Sequence, residues 1–201
     1  ICLRTLLQRS RHALFFSLII LICIGLISWP QISLKKNNWL LAGHIVEAGF
    51  KSYPALHLPS NASIIFIGLP DNLRGAQLFR NAIKEALNLQ KIPPTKLVEG
   101  ERVLISPILT KENFDKDIIS VQRIDDNTIQ FVPTTGTIIT GLPSVETKYG
   151  RATLINFNKK YQTGEQIQFE INKQAVDEAK KKDILIFLVY FSAGLFKALP
   201  L

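Results

Sequence analysis

Apolar and polar positions change texture three times along this chain. Residues 13–29 form an uncharged apolar stretch, residues 39–50 carry apolar positions at helical spacing, and from residue 63 short apolar runs alternate with turn-forming residues. The first stretch, about 17 residues long, lies at the short end of what crosses a bilayer core. Trp29 stands where an interfacial aromatic belongs, and Pro30, which has no N–H to donate, is expected to end the helix at the water boundary. Residues 30–38 then read as a polar linker, and residues 39–50 as an amphipathic helix close to the membrane.

Residues 63–87 organise the rest. Residues 64–67 are β-branched or aromatic and predict a buried strand, which Gly68 and Pro70 stop. Asp71, Asn72 and Gly75 predict a polar turn. A helical period through Ala76, Phe79, Ile83 and Leu87 then predicts a helix to about Leu89, closed by Pro93 and Pro94. Residues 102–106 predict a second strand, parallel to the first if the helix is a crossover, which would be right-handed.

From residue 117 the pattern turns to β. Residues 118–124 and 128–132 flank Asp125-Asp126-Asn127 and predict a hairpin. Residues 138–139 and 152–157 are further strand candidates. Residues 166–171 alternate with period two, which predicts a half-exposed antiparallel strand. Residues 172–182 form a polar connector, helical or irregular. The closing apolar run from residue 184 is too short to cross a bilayer, and the turn at residues 192–194 makes it a terminal β-hairpin.

The predicted fold class is therefore α/β: one N-terminal transmembrane helix followed by a small α/β domain whose second half is mainly antiparallel β. The expected organisation is a cytoplasmic flank (1–12), a span (13–29), a linker (30–38) and an extracytoplasmic domain (39–201). That domain divides into a strand-helix part (39–110) and a mainly β part (117–201).

Charge sets the address. Arg4, Arg9, Arg11 and His12 precede the span and Lys35 and Lys36 follow it, so the positive-inside bias favours a cytoplasmic N-terminus with residues 30–201 extracytoplasmic. A cleaved signal peptide is the competing explanation, but Ser28-Trp29-Pro30 makes a poor cleavage site. The net charge of +8 does not imply nucleic acid: the lysines are dispersed among carboxylates, with no arginine stripe and no interleaved aromatics for stacking. Attraction to an anionic membrane surface accounts for it more simply. Cys2 and Cys23 belong to the membrane end, which removes cysteine chemistry from the soluble part. The chain has no methionine and opens on Ile1, so a longer parent protein is expected, with the missing part N-terminal.

Catalytic motifs are sparse. No glycine-rich phosphate loop, His-x-x-x-His pair or Gly-x-Ser-x-Gly elbow is present, and His12, His44 and His57 are too scattered to make a metal centre. No cofactor and no metal are expected. Asp115, Asp117, Asp125 and Asp126 are carboxylates in turn-like settings, better read as solvated turns than as acid–base pairs. The remaining candidate is a ligand-contact loop of Asp71, Asn72, Arg74, Arg80 and Asn81 at the carboxyl end of the first strand, where open α/β sheets bind ligands. Asp71 and Asn72 offer acceptors, and Arg74 offers donors to an anion or sugar hydroxyl. The alternative is a helix cap at Asp71 or Asn72, with Arg80 on a solvated face.

A span, then Trp39-Leu-Leu-Ala opening a helix, then an apolar strand running into Leu69-Pro-Asp-Asn-Leu-Arg-Gly-Ala-Gln-Leu-Phe-Arg-Asn81 and Glu85-Ala-Leu87, resembles the C-terminal region of bacterial polytopic membrane glycosyltransferases of the protein-mannosyltransferase-like, GT-C type. The match covers residues 39–89. In that pattern an aromatic stands where this chain has Leu73 and a glycine where it has Ala82, so contacts made by those groups do not carry over. The resemblance implies a parent enzyme that moves a sugar from a polyprenyl-phosphate donor at the outer membrane face. Its catalytic acidic residues would lie in earlier loops, and this chain would supply the last span and an accessory domain that caps the site or receives the acceptor. No catalytic residue is assigned. The expected partners are the lipid bilayer and, through the parent, lipid-linked sugar and acceptor. A non-enzymatic, single-span binding or interaction domain is the alternative.

Overall fold

The computed structural model describes residues 2–70, 72–73, 76–79, 83, 96–103, 106–107, 118–134, 138–139 and 142–201. It has one long N-terminal apolar helix followed by a small domain of mostly antiparallel strands, in keeping with the predicted class.

The helix α1 (Cys2–Ser52) is 51 residues long and passes through Pro30 without a break. At 1.5 Å per residue it is a rod about 76 Å long. The expected stop at Pro30 and the linker at 30–38 are corrected. Proline removes one i→i−4 bond and crowds one carbonyl, but the residues beyond it keep their own ladder bonds, and long helices absorb that loss at a kink. The helix ends instead at Ser52, just before Tyr53-Pro54. There a short 3-10 helix (Tyr53–Leu56) takes over and His57 closes it in the left-handed region (φ 48°), its N–H donating to the Pro54 carbonyl.

Four strands form a mixed sheet. In it β1 (Ala62–Ile67) is central, with β4 (Lys96–Val103) parallel on one side and β13 (Leu185–Ser192) parallel on the other. Strand β14 (Leu195–Pro200) completes the edge antiparallel to β13, which is the predicted terminal hairpin. The parallel partner of β1 was also anticipated, although it starts at Lys96 and not at residue 102. All six residues of β1 are buried, as expected for a strand covered on both faces.

A second, fully antiparallel sheet has the order β6 (Ile119–Arg123), β7 (Thr128–Pro133), β12 (Gln166–Ile171), β10 (Gly150–Ile155), β9 (Ser144–Thr147). The β6–β7 hairpin and the alternating β12 match the sequence pattern. The inner faces meet where Phe131 of β7 packs edge-on against Tyr190 of β13, ring centres 5.8 Å apart. Short strands β5 (Ser106–Pro107), β8 (Ile138–Ile139) and β11 (Thr163–Gly164) make a three-stranded patch. The polar connector is helical, α2 (Lys173–Lys181). Asn172 caps it, its side chain accepting from Ala175 N at 3.2 Å, and Val176 and Ala179 are buried.

Two glycines are sterically required. Gly68 ends β1 at φ 66°, a conformation that other residues adopt at a cost. At Gly150 a Cβ would meet the Glu170 carbonyl oxygen and, at 2.7 Å, the Phe169 ring. Gly150→Ala is expected to destabilise the chain by about 1–3 kcal/mol, because backbone cannot yield as a flexible side chain can. Denaturant unfolding checks this, and an unchanged midpoint would show that β10 and β12 separate freely.

Candidate functional site

The first strand delivers the chain to a corner of the domain beside α1, but not directly into a helix. After Pro70, β2 (Asn72–Leu73) and β3 (Ala76–Gln77) pair antiparallel, Asn72 opposite Gln77 and Leu73 opposite Ala76. Phe79 N–H donates to the Pro70 carbonyl at 3.3 Å and closes the base of this small hairpin. The predicted helix does not begin at Ala76: Ala76 is in a strand and Phe79 lies in a bend, whereas Ile83 has helical backbone, and residues 80–82 and 84–89 of that prediction lie outside the described residues. All three are buried, together with Leu73 and Leu78. Burial at Ala76, Phe79 and Ile83 matches the pattern, Leu87 lies outside the described residues, and for the first two positions the spacing also fits a hairpin followed by a bend.

Of the five candidate ligand contacts, Asn72 is placed in β2, while Asp71, Arg74, Arg80 and Asn81 lie outside the described residues. Asp115 and Asp117 lie outside them too. Both β2 and β3 pack on α1, so the hairpin is a bracket between the sheet and the helix.

The other chemical candidates resolve as structural groups. Asp125 sits in the β6–β7 turn, where its carboxylate accepts from Asn127 N–H at 2.6 Å. That bond holds its pKa below the ordinary aspartate value, with smaller help from Thr128 and Lys173. Glu47 is likewise held low, by its hydrogen bond and ion pair with Lys51 at 2.7 Å and, more weakly, by His44. In both cases the folded value is depressed, so each contribution to stability is complete above the ordinary carboxylate range. It is lost as pH falls through the lowered folded value. A carboxyl NMR titration is expected to place both midpoints below those of unstructured peptides, and Asn127→Pro, which deletes the main donor, should move Asp125 back toward the ordinary range. Asn61, in an Asn-x-Ser acceptor pattern, uses its side-chain amide to donate to the Asp183 carbonyl at 2.5 Å. Among the described residues, no three His, Cys, Asp or Glu side chains gather as a metal site. A gap lined by Ile119, Phe131, Pro133, Ile138 and Ile167 is apolar and too small for water.

What the sequence did not disclose is the junction between helix and domain. Phe196 of β14 is ringed by Phe50 from the end of α1, Tyr53 from the 3-10 helix that follows it, Phe66 from β1, Phe79, and Phe191 from β13, with centroids 5.2–6.1 Å away. Gly49 admits these rings: a Cβ there would stand 3.0 Å from Phe79 Cζ and 3.3 Å from Phe191 Cε2. The Ser52 hydroxyl donates to the Gly49 carbonyl at 2.7 Å and accepts the Phe196 N–H at 2.9 Å. Ile45 and Ala42 are buried about one and two turns before Gly49. The apolar helix is thus fixed into the domain core along its last three turns. The abundance of phenylalanine, 12 in 201 residues, was the available signal; which rings would meet was not.

No family model, no curated protein and no solved structure matches this chain.

Proposed function

We propose that this chain forms the last span and the extracytoplasmic accessory domain of a membrane glycosyltransferase that uses a polyprenyl-phosphate-linked sugar, with the catalytic centre elsewhere in the parent protein. The observation that supports this reading is α1. One helix near the N-terminus is long and apolar enough to cross a membrane, its most apolar window has a mean hydropathy of 2.1, and none of that window is buried by the domain. The same helix then enters the domain core, so the domain is held at a fixed height and angle over one membrane face. An accessory domain that caps a lipid-linked substrate needs this geometry, because its polar edge must return to the same depth on each turnover. The basic residues before the span favour a cytoplasmic N-terminus with the domain outside.

The test is the reading frame upstream of Ile1, followed by activity. Many further spans with an acidic residue in the first outer loop support the transferase. In that case Asp71→Ala with Arg74→Ala in the full-length enzyme is expected to lower sugar transfer without dislodging the protein from the membrane. A start codon immediately before Ile1 overturns it.

A second reading, a non-enzymatic anchored binding domain, is favoured by one feature of the antiparallel sheet. Its register sets Gln122, Gln130, Gln168, Thr153 and Ser144 opposite one another across all five strands. These side chains are exposed or half-exposed, and they present an uncharged strip of amides and hydroxyls to a partner surface.

A further inference from the structure

Because α1 does not stop at Pro30, the uncharged part of the helix extends from residue 13 to residue 34. That is about 33 Å of helix, close to the thickness of the hydrocarbon core, which the shorter run up to Trp29 does not reach. The water boundary therefore moves one to two turns outward, to Lys35 and Lys36. Beyond them come Trp39 and Leu40, 55% and 54% exposed, and then Ala42, which is 2% exposed and already part of the domain core. No linker separates membrane from domain. Between Leu34 and Ala42 the helix rises only about 12 Å, about twice the ~5–8 Å depth of one headgroup layer.

The faces of the helix matter as much as its length. Lys35, Asn38, Ala42, Ile45 and Gly49 follow one another at spacings of three and four, so they form a single stripe. The upper part of that stripe is buried in the domain and Asn38 is already half-covered. Lys35 lies two turns below Ala42 on the side from which the domain projects. A helical side chain covers the turn N-terminal to its own Cα, which brings the Trp39 ring down to the level of Lys35 and Lys36. Two ammonium groups, one indole and one leucine thus gather where span and domain meet. Cation with aromatic at this depth is the pattern of a headgroup-level anchor, and the flexible lysine stems can lift their charges to lipid phosphates.

We propose that the turn formed by Lys35, Lys36, Trp39 and Leu40 docks the domain directly onto the headgroup layer of an anionic phospholipid membrane. The lysines bind lipid phosphate, Trp39 and Leu40 enter the boundary with the acyl chains, and the aromatic junction above transmits that fixed depth to the whole domain. This inference rests on the span being real, and its test separates the two.

The full chain carrying Trp29→Phe, which leaves Trp39 as its single tryptophan, is reconstituted in phosphatidylcholine vesicles with and without phosphatidylglycerol. Brominated lipids with bromine at shallow or deep acyl positions serve as quenchers. The expected result is blue-shifted Trp39 emission, quenched most by shallow bromine and at least about two-fold more with anionic lipid at low salt, a difference that high salt erases. Lys35→Glu with Lys36→Glu should abolish the anionic-lipid dependence while the protein still resists alkaline extraction. Unquenched, water-like Trp39 emission in a chain that resists extraction overturns the docking and leaves the span standing. Quenching indifferent to phosphatidylglycerol and to the lysine substitutions overturns recognition of the anionic lipid. Release of the protein by alkali overturns the span itself.

Discussion

Phe196→Ala is expected to destabilise the domain by about 3–5 kcal/mol, the range for deleting a fully packed phenylalanine. Phe196 is 3% exposed and touches five aromatic rings. Edge-on ring pairs add about 0.5–1.5 kcal/mol beyond area burial, and pairs that share one ring do not sum independently. The neighbours come from α1, the 3-10 helix after it, β1, β13 and the segment after β3, so the cavity left behind has walls on five segments and little freedom to collapse. Phe196→Leu, which restores most of the volume without the ring, should recover more than half of the loss. Denaturant unfolding of the detergent-solubilised chain reads both. A loss under about 1 kcal/mol for the alanine variant would show that the rings repack and that helix and domain are not rigidly joined. Gly49→Val should act in the same direction through overpacking, since its Cβ would press on Phe79 and Phe191.

The elements legible in the sequence are those whose pattern is local. Strand β12 alternates residue by residue, and its inward side chains Ile167 and Phe169 are buried as the alternation requires. The β6–β7 hairpin is marked by Asp125 and Asn127, which form the turn they suggest. The β13–β14 hairpin follows from a run too short to span a membrane. Three features were set by tertiary context. Pro30 has the signature of a helix end, yet only the residues on both sides decide whether one missing bond stops a helix. The pattern at Ala76 and Phe79 shows where burial falls but not the backbone that achieves it, because a hairpin and bend braced on α1 bury the same two positions as a helix. The placement of β13 beside β1 joins residues more than a hundred positions apart, and nothing in either strand names the other. For the candidate site, only Asn72 of the loop read from the sequence falls among the described residues, whereas the aromatic junction beside it depends on five separate segments converging.

Ile24→Asp is expected to remove the chain from the membrane while leaving the domain folded. Ile24 lies near the middle of the 13–34 stretch and is 59% exposed on bare helix, so with α1 across a bilayer it would face lipid, with no side chain among the described residues packed over it to compensate a charge. A carboxylate at the helix centre costs about 2.5–3.5 kcal/mol of insertion free energy, or roughly a hundred-fold in the inserted population. Proline at position 30 has already removed one backbone bond from the same span, which leaves less reserve to offset the charge. The readout is the fraction retained after alkaline extraction, with Ile24→Val as the control for volume and near-UV circular dichroism of the released protein as the measure of an intact aromatic junction. Full retention of the aspartate variant would mean that α1 does not lie in the bilayer, and the membrane-anchored readings would both fall. Loss of the near-UV signal together with membrane release would instead mean that the domain needs the bilayer beneath it, since residue 24 lies far outside the part of α1 that enters the core.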